Sequence, residues 1–77
     1  MRELLSFLAR SLVAKPDEVE VTEIEEDEGE VVLELEVAEE DLGRIIGRGG
    51  RIANALRTVI KAAATREQKR VIVDILD

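Results

Sequence analysis

Asp41-Leu42-Gly43-Arg44-Ile45-Ile46-Gly47-Arg48-Gly49-Gly50-Arg51-Ile52-Ala53-Asn54-Ala55-Leu56 is the stretch that decides the fold. Residues 39–46 read as a short helix. Its acidic first turn, Glu39-Glu40-Asp41, suits the positive end of a helix dipole. Gly47-Arg48-Gly49-Gly50 cannot continue that helix without strain. From Arg51 helical spacing resumes, with Ile52, Leu56, Val59, Ile60 and Ala63 on one face and Arg57 and Lys61 pointing the other way. A glycine turn between two helices puts two useful things side by side. The second helix offers backbone N–H groups with no intrahelical partner, and the glycines let a sugar-phosphate chain approach the peptide backbone. Arg48 stands at the tip, flanked by Arg44 and Arg51. Three cations so placed contact phosphates and give affinity with little sequence information.

Working outward, residues 2–14 read as a helix, with Leu4, Leu5, Leu8 and Leu12 at helical spacing and Phe7 beside them. Lys15-Pro16-Asp17 ends it, because the residue before a proline is pushed out of the helical region. Val19 to Glu25 alternates as a strand, and Ile24 breaks the phase, so a bulge or strand end is expected there. Glu26-Asp27-Glu28-Gly29 is a turn. Val31, Leu33, Leu35 and Val37 then mark one face of a half-buried strand, paired with the first as an antiparallel hairpin. Val71-Ile72-Val73-Asp74-Ile75-Leu76 is a last strand, apolar enough to be largely buried. The order is α-β-β-α-α-β. It predicts a single α+β domain over residues 1–77, a three-stranded sheet with three helices packed on one face.

Seventy-seven residues make one small core, and Phe7 is the only aromatic, so that core is aliphatic. Stacking of bases on aromatic platforms is therefore not expected. The net charge is −7, which at first argues against a polyanionic partner. Its distribution argues the other way. Residues 1–43 carry fifteen acidic and three basic side chains, whereas residues 44–70 carry eight basic and one acidic. A positive segment on an acidic body steers a polyanion to one surface and repels it elsewhere. The first residues turn amphipathic at once, unlike a signal peptide, and no apolar run nears ~18 residues. A cytoplasmic setting with no membrane contact is the expectation.

A bare G-x-x-G recurs by chance, and the plain alternative is a helix-ending glycine turn carrying a solvated arginine. The arginines and the helix on each side favour the binding reading. Ile46, next to the turn, leans toward lining a groove; Ile45 is core or groove alike. Asn54 lies away from the apolar stripe, where it either bonds a base edge or is an ordinary surface amide. Val71 and Val73 are groove wall or sheet interior, and Arg66, Lys69 and Arg70 are positive rim or solvated connector.

On these residues the chain resembles the bacterial KhpA-type small KH-domain proteins. The likeness is carried by Pro16-Asp17-Glu18-Val19-Glu20-Val21-Thr22, by Asp41 through Arg51, and by Arg57-Thr58-Val59-Ile60-Lys61-Ala62-Ala63-Ala64. The resemblance implies the type II KH fold and a groove for about four nucleotides of single-stranded RNA. It also implies a homodimer, pairing with a second KH protein of the KhpB type, and roles as an RNA chaperone or post-transcriptional regulator in cell shape and division. One departure stands out. Many KH domains place a branched apolar residue three positions after the last loop glycine, where this chain has Ala53.

Catalysis is not expected. The chain has no histidine, cysteine or tyrosine, no lysine follows the glycines as a nucleoside-triphosphate loop requires, and G-x-G-x-x-G is absent. No cofactor is expected. The acidic run Glu25-Glu26-Asp27-Glu28 lacks the spaced ligands of a calcium loop and reads as a solvated hairpin tip, not a metal site. Two function classes remain. One is a single-stranded RNA-binding module using Gly47, Arg48, Gly49, Gly50, Arg51, Arg44, Ile46 and Asn54. The other is a protein-interaction domain with weak intrinsic nucleic-acid affinity, motivated by the acidic body and small size. Single-stranded DNA is a further possible ligand of the same groove.

Overall fold

In a computed structural model, residues 1–77 are described throughout, except for the side chain of Asp27. Helix α1 spans Arg2–Leu12, strand β1 Glu20–Glu25, strand β2 Glu30–Glu36, the helical run α2 Glu39–Arg66 and strand β3 Arg70–Ile75. Short 3₁₀ turns at Pro16–Glu18 and Asp27–Gly29 lead into β1 and β2. The sheet order is β1-β2-β3. β1 pairs antiparallel with β2, and β2 pairs parallel with β3 across the α2 crossover. The α+β class and the three-stranded sheet stand as expected. Where three separate helices were expected, the structure has α1 and one helical run whose backbone leaves helical geometry only at Gly47, Arg48, Gly49 and Gly50.

Leu33 and Leu35 of β2 and Val73 of β3 meet Leu5 and Ala9 of α1 and Leu56 and Ile60 of α2 in one aliphatic core. These strand residues share one parity, so both helical elements cover the same face of the sheet. No side chain larger than isoleucine or leucine is fully buried among the described residues. Phe7, placed beside the apolar stripe by its spacing, is 67% exposed.

Three local expectations are corrected. Helix α1 ends at Leu12, two residues early, with Val13 already extended at φ −111°. The cause lies far along the chain. Asp41, buried in the first turn of α2, accepts the Ala14 N–H at 2.9 Å and the Lys15 N–H at 3.0 Å, so these amides leave the helix for a carboxylate. Of the bulge or strand end expected at Ile24 there is no bulge, and β1 ends one residue later at Glu25. The β1–β2 register runs unbroken from Glu20↔Glu36 to Glu25↔Val31, and Ile24 simply faces the uncovered side. The sheet is covered on one face only, so Val71, Val73 and Ile75 of β3 turn inward while Ile72 stays 46% exposed.

The chain leaves α2 by a Schellman turn. The Lys69 N–H donates to the Ala64 carbonyl at 2.8 Å and the Gln68 N–H to the Thr65 carbonyl at 3.0 Å, with Gln68 left-handed at φ 58°. Above the Asp41 clasp, Lys15 and Glu40 form an exposed ion pair. The hydrogen bond with Glu40 holds the Lys15 ammonium above its ordinary range, and the same contact holds the Glu40 carboxyl below its own. A lowered carboxyl supports the fold above the ordinary carboxylate range, and that support is lost as pH falls through the lowered value. Solvent screening keeps it small.

Asp41 is therefore the tie between the α1–β1 connection and α2. Asp41→Ala orphans two N–H groups and is expected to lower unfolding stability by about 2–3 kcal/mol, read by urea denaturation. Asp41→Asn, which keeps an acceptor oxygen, is expected to lose less.

Candidate nucleic-acid interface

The interruption of α2 has a definite geometry. Gly47 is extended at φ −73°, ψ 171°, and three left-handed residues follow: Arg48 at φ 52°, Gly49 at φ 71° and Gly50 at φ 73°. Consecutive left-handed residues turn the chain sharply, which ends one helical stretch and starts the next without a longer loop. Glycine accepts this backbone freely and arginine does not. The turn thus holds one side chain, that of Arg48, in a conformation costing about 1 kcal/mol. Its surface is open: a Cβ on Gly47 or Gly49 would meet no other atom within 4 Å.

Around the turn, Gly43, Arg44, Gly47, Arg48, Arg51 and Ile52 line a recess of about 410 Å³. Arg44 reaches it from the first helical stretch, Arg48 from the turn itself and Arg51 from the start of the second stretch. All three arginines are exposed, and none has an acidic partner among the described residues. The recess therefore combines free guanidinium groups, glycine backbone and the apolar side of Ile52. Ile52 was read from its spacing only as core. Gly43 and Ile52 are lining residues that the sequence reasoning missed.

Gly50 and Asn54 belong together on another side of the turn, where a Cβ on Gly50 would lie 3.8 Å from the Asn54 amide nitrogen. Asn54 in turn accepts from the Arg57 guanidinium at 3.3 Å, and the Arg57 Nε–H donates to the Val73 carbonyl at 3.4 Å. Arg57, expected to point away from the packed face, ties α2 to the open edge of β3. A cation following an apolar stripe gave no signal for this; only the parallel placement of β3 beside α2 creates the contact. Val73 is buried, as the sheet-interior alternative had it, but its carbonyl is offered at that edge. Ile45 is fully buried and Ile46 is 44% exposed beside the turn. Val59, expected on the packed face, is exposed, because the buried stripe is centred on Ala53, Leu56, Ile60 and Ala64 instead.

Two larger recesses lie elsewhere. One, of about 630 Å³, runs between α1 and β1 and includes Phe7, with Arg2 and Arg10 beside Glu3 and Glu20. The other, of about 1160 Å³, holds Glu23, Glu25, Glu28 and Glu30 beside Lys61, Lys69 and Arg70. Charges balance in the first, carboxylates outnumber cations in the second, and neither has the unopposed arginines of the turn. Of the three connector cations offered as a rim, Lys69 and Arg70 line this second recess and not the one at the glycine turn, Lys69 pairs with Glu67, and Arg66 is exposed and lines neither. The acidic run at the hairpin tip includes Asp27, whose side chain lies outside the described residues.

The KhpA/KhpB KH-domain model matches residues 2–75. The chain belongs to this family. A Clostridium acetobutylicum relative named RNA-binding protein KhpA is 55% identical over 76 residues, covering 99% of this chain and all of the relative. A Caldanaerobacter subterraneus protein of the same name is 53% identical over 76 residues with the same coverage. The Aquifex aeolicus RNA-binding protein KhpA is 44% identical over 77 residues, all of this chain and 96% of the relative. No helix among the described residues is long and apolar enough to cross a membrane.

The backbone of the turn makes a prediction of its own. Gly49→Val puts a branched side chain on left-handed backbone and is expected to lower stability by about 1–2 kcal/mol. Arg48→Gly relieves the same strain and is expected to leave stability unchanged or raise it by up to about 1 kcal/mol. Thermal and urea unfolding of both variants check the contrast.

Proposed function

We propose that this domain binds single-stranded RNA, with the sugar-phosphate backbone laid on the Gly47–Gly50 turn. The observation that carries the reading is the turn itself: exposed Arg44, Arg48 and Arg51, without acidic partners among the described residues, around backbone left open at Gly47 and Gly49. Phosphates contact the guanidinium groups and the positive end of the second helical stretch. Bases then lie toward the Asn54, Arg57 and Val73 side, where an amide, a guanidinium and the open β3 edge supply donors and acceptors. With Phe7 outside this groove, no aromatic takes part, and aliphatic Ile46 is the wall against which bases pack. The names of the relatives, all RNA-binding proteins, support the same reading.

The homodimer and the KhpB-type partner implied by the family resemblance fit this chemistry. A groove for about four nucleotides gives modest affinity. Two copies on one strand raise it through effective concentration with no new contact. A role as RNA chaperone or post-transcriptional regulator in the cytoplasm follows from such a module, since it clamps backbone and reads little sequence. Single-stranded DNA meets the same turn, because no group in it is dedicated to a 2′-hydroxyl.

The deciding variant is Arg48→Asp combined with Gly49→Asp. Aspartate is among the side chains that best tolerate left-handed backbone, and the space at Gly49 is open, so the fold is expected to survive. Binding of a single-stranded RNA oligomer, followed by fluorescence anisotropy, is expected to be lost. The parent's affinity is expected to fall steeply with added salt. Parent-like binding by the double variant, or a flat salt response, contradicts the proposal.

A further inference from the structure

The sheet is covered on one face only. Its other face presents Glu20, Thr22 and Ile24 from β1, Glu30, Val32, Glu34 and Glu36 from β2, and Arg70, Ile72 and Asp74 from β3. The strand registers arrange these in rows. Ile24 pairs with Val32, and Val32 with Ile72, so three branched apolar side chains stand in line across all three strands. Ile24 is 36% and Ile72 46% exposed, and neither packs on the core. On one side of this row, Glu34 pairs directly with Asp74, and beyond them Glu20 pairs directly with Glu36. Like charges opposite one another weaken a sheet. None of these four carboxylates has an ion-pair partner among the described residues. On the other side stands Glu30, beside Arg70.

We propose that this open face is the docking surface for a basic amphipathic helix of a partner protein. The acidic frame repels RNA, so the occupant is a polypeptide. Cations reaching Glu34, Asp74, Glu20 and Glu36 relieve a repulsion that the free domain carries unrelieved. The apolar row calls for an apolar stripe, and its length fits a helix. Three strands spaced about 4.8 Å apart give a row about 10 Å long. Residues i, i+4 and i+7 of a helix span about the same distance along its axis. A second copy joined face to face is disfavoured, since a two-fold contact sets the acidic frame against itself. The proposal is independent of RNA binding, because it uses none of the residues around the glycine turn.

The test uses the full chain with labelled isoleucine and valine methyl groups, watched by NMR. The probe is a synthetic helix of about 18 residues with leucines at i, i+4 and i+7 flanked by lysines. Two controls accompany it: one scatters the same leucines around the helix, and the other replaces every lysine by glutamate. The Ile24, Val32 and Ile72 methyls are expected to shift saturably with the probe, about tenfold more weakly with the scattered peptide, and not at all with the acidic one. Ile72→Ser is expected to weaken the probe about tenfold while single-stranded RNA binding stays at the parent's level. Equal response to both lysine peptides overturns the proposal, since charge alone then suffices. So do shifts confined to the Phe7 recess, or methyl shifts that move on dilution of the free protein, which would make a second copy the occupant.

Discussion

Three successive residues at positive φ cannot sit inside a helix without turning it, and nearly everything of interest in this domain follows from that constraint at Arg48, Gly49 and Gly50. The turn divides the helical run Glu39–Arg66 into a short stretch ending near Ile46 and a longer one that packs on the sheet. It brings Arg44, Arg48 and Arg51 to one recess although they lie on the first helical stretch, the turn and the second stretch. Two of the three left-handed residues are glycine, so strain is confined to Arg48, the one position where a side chain is worth keeping. Strain held at a site by surrounding structure that over-determines it is common where function demands a particular backbone.

That surrounding structure is modest. Leu5, Leu33, Leu35 and Ile60 form the fully buried centre of a domain with no disulfide and one exposed aromatic. Asp41 adds a polar tie that a core this small uses to fix where α1 ends and how the α1–β1 connection meets α2. Arg57 adds a second, from α2 to the edge of β3. The first holds the start of α2 to the α1–β1 connection, and the second holds its longer stretch to the sheet. Charge is sorted as strictly as packing. Cations without partners gather at the turn, and carboxylates without partners gather on the open sheet face, so one small domain offers surfaces suited to partners of opposite charge.

Much of this was legible in the sequence, and the exceptions share a cause. The glycine turn, the hairpin, the last strand and the arginines around the turn follow from local chemistry: periodicity, turn residues and charge. What escaped depends on contacts between residues distant in the chain. Helix α1 ends early because of a carboxylate 26 residues beyond Lys15. Ile24 looked like a broken alternation because an apolar residue facing outward is indistinguishable, in one strand, from a bulge; its partners Val32 and Ile72 appear only once the register is fixed. Val59 and Ile52 shift roles because the packed stripe of α2 is set by where β3 and α1 lie, not by apolar spacing alone. Arg57 looked like a surface cation because its acceptor, the Val73 carbonyl, is a backbone atom with no signature in sequence.

The central claim is that RNA backbone lies on the Gly47–Gly50 turn. The most direct measurement is a titration of the ¹⁵N-labelled full chain with a short single-stranded RNA, followed through its backbone amide resonances. The account predicts that the largest saturable shifts fall on Gly47, Arg48, Gly49, Gly50 and Arg51, with smaller ones at Asn54 and Arg57. Largest shifts in the α1–β1 recess or on the open sheet face, with the amides of the turn unmoved, would contradict it.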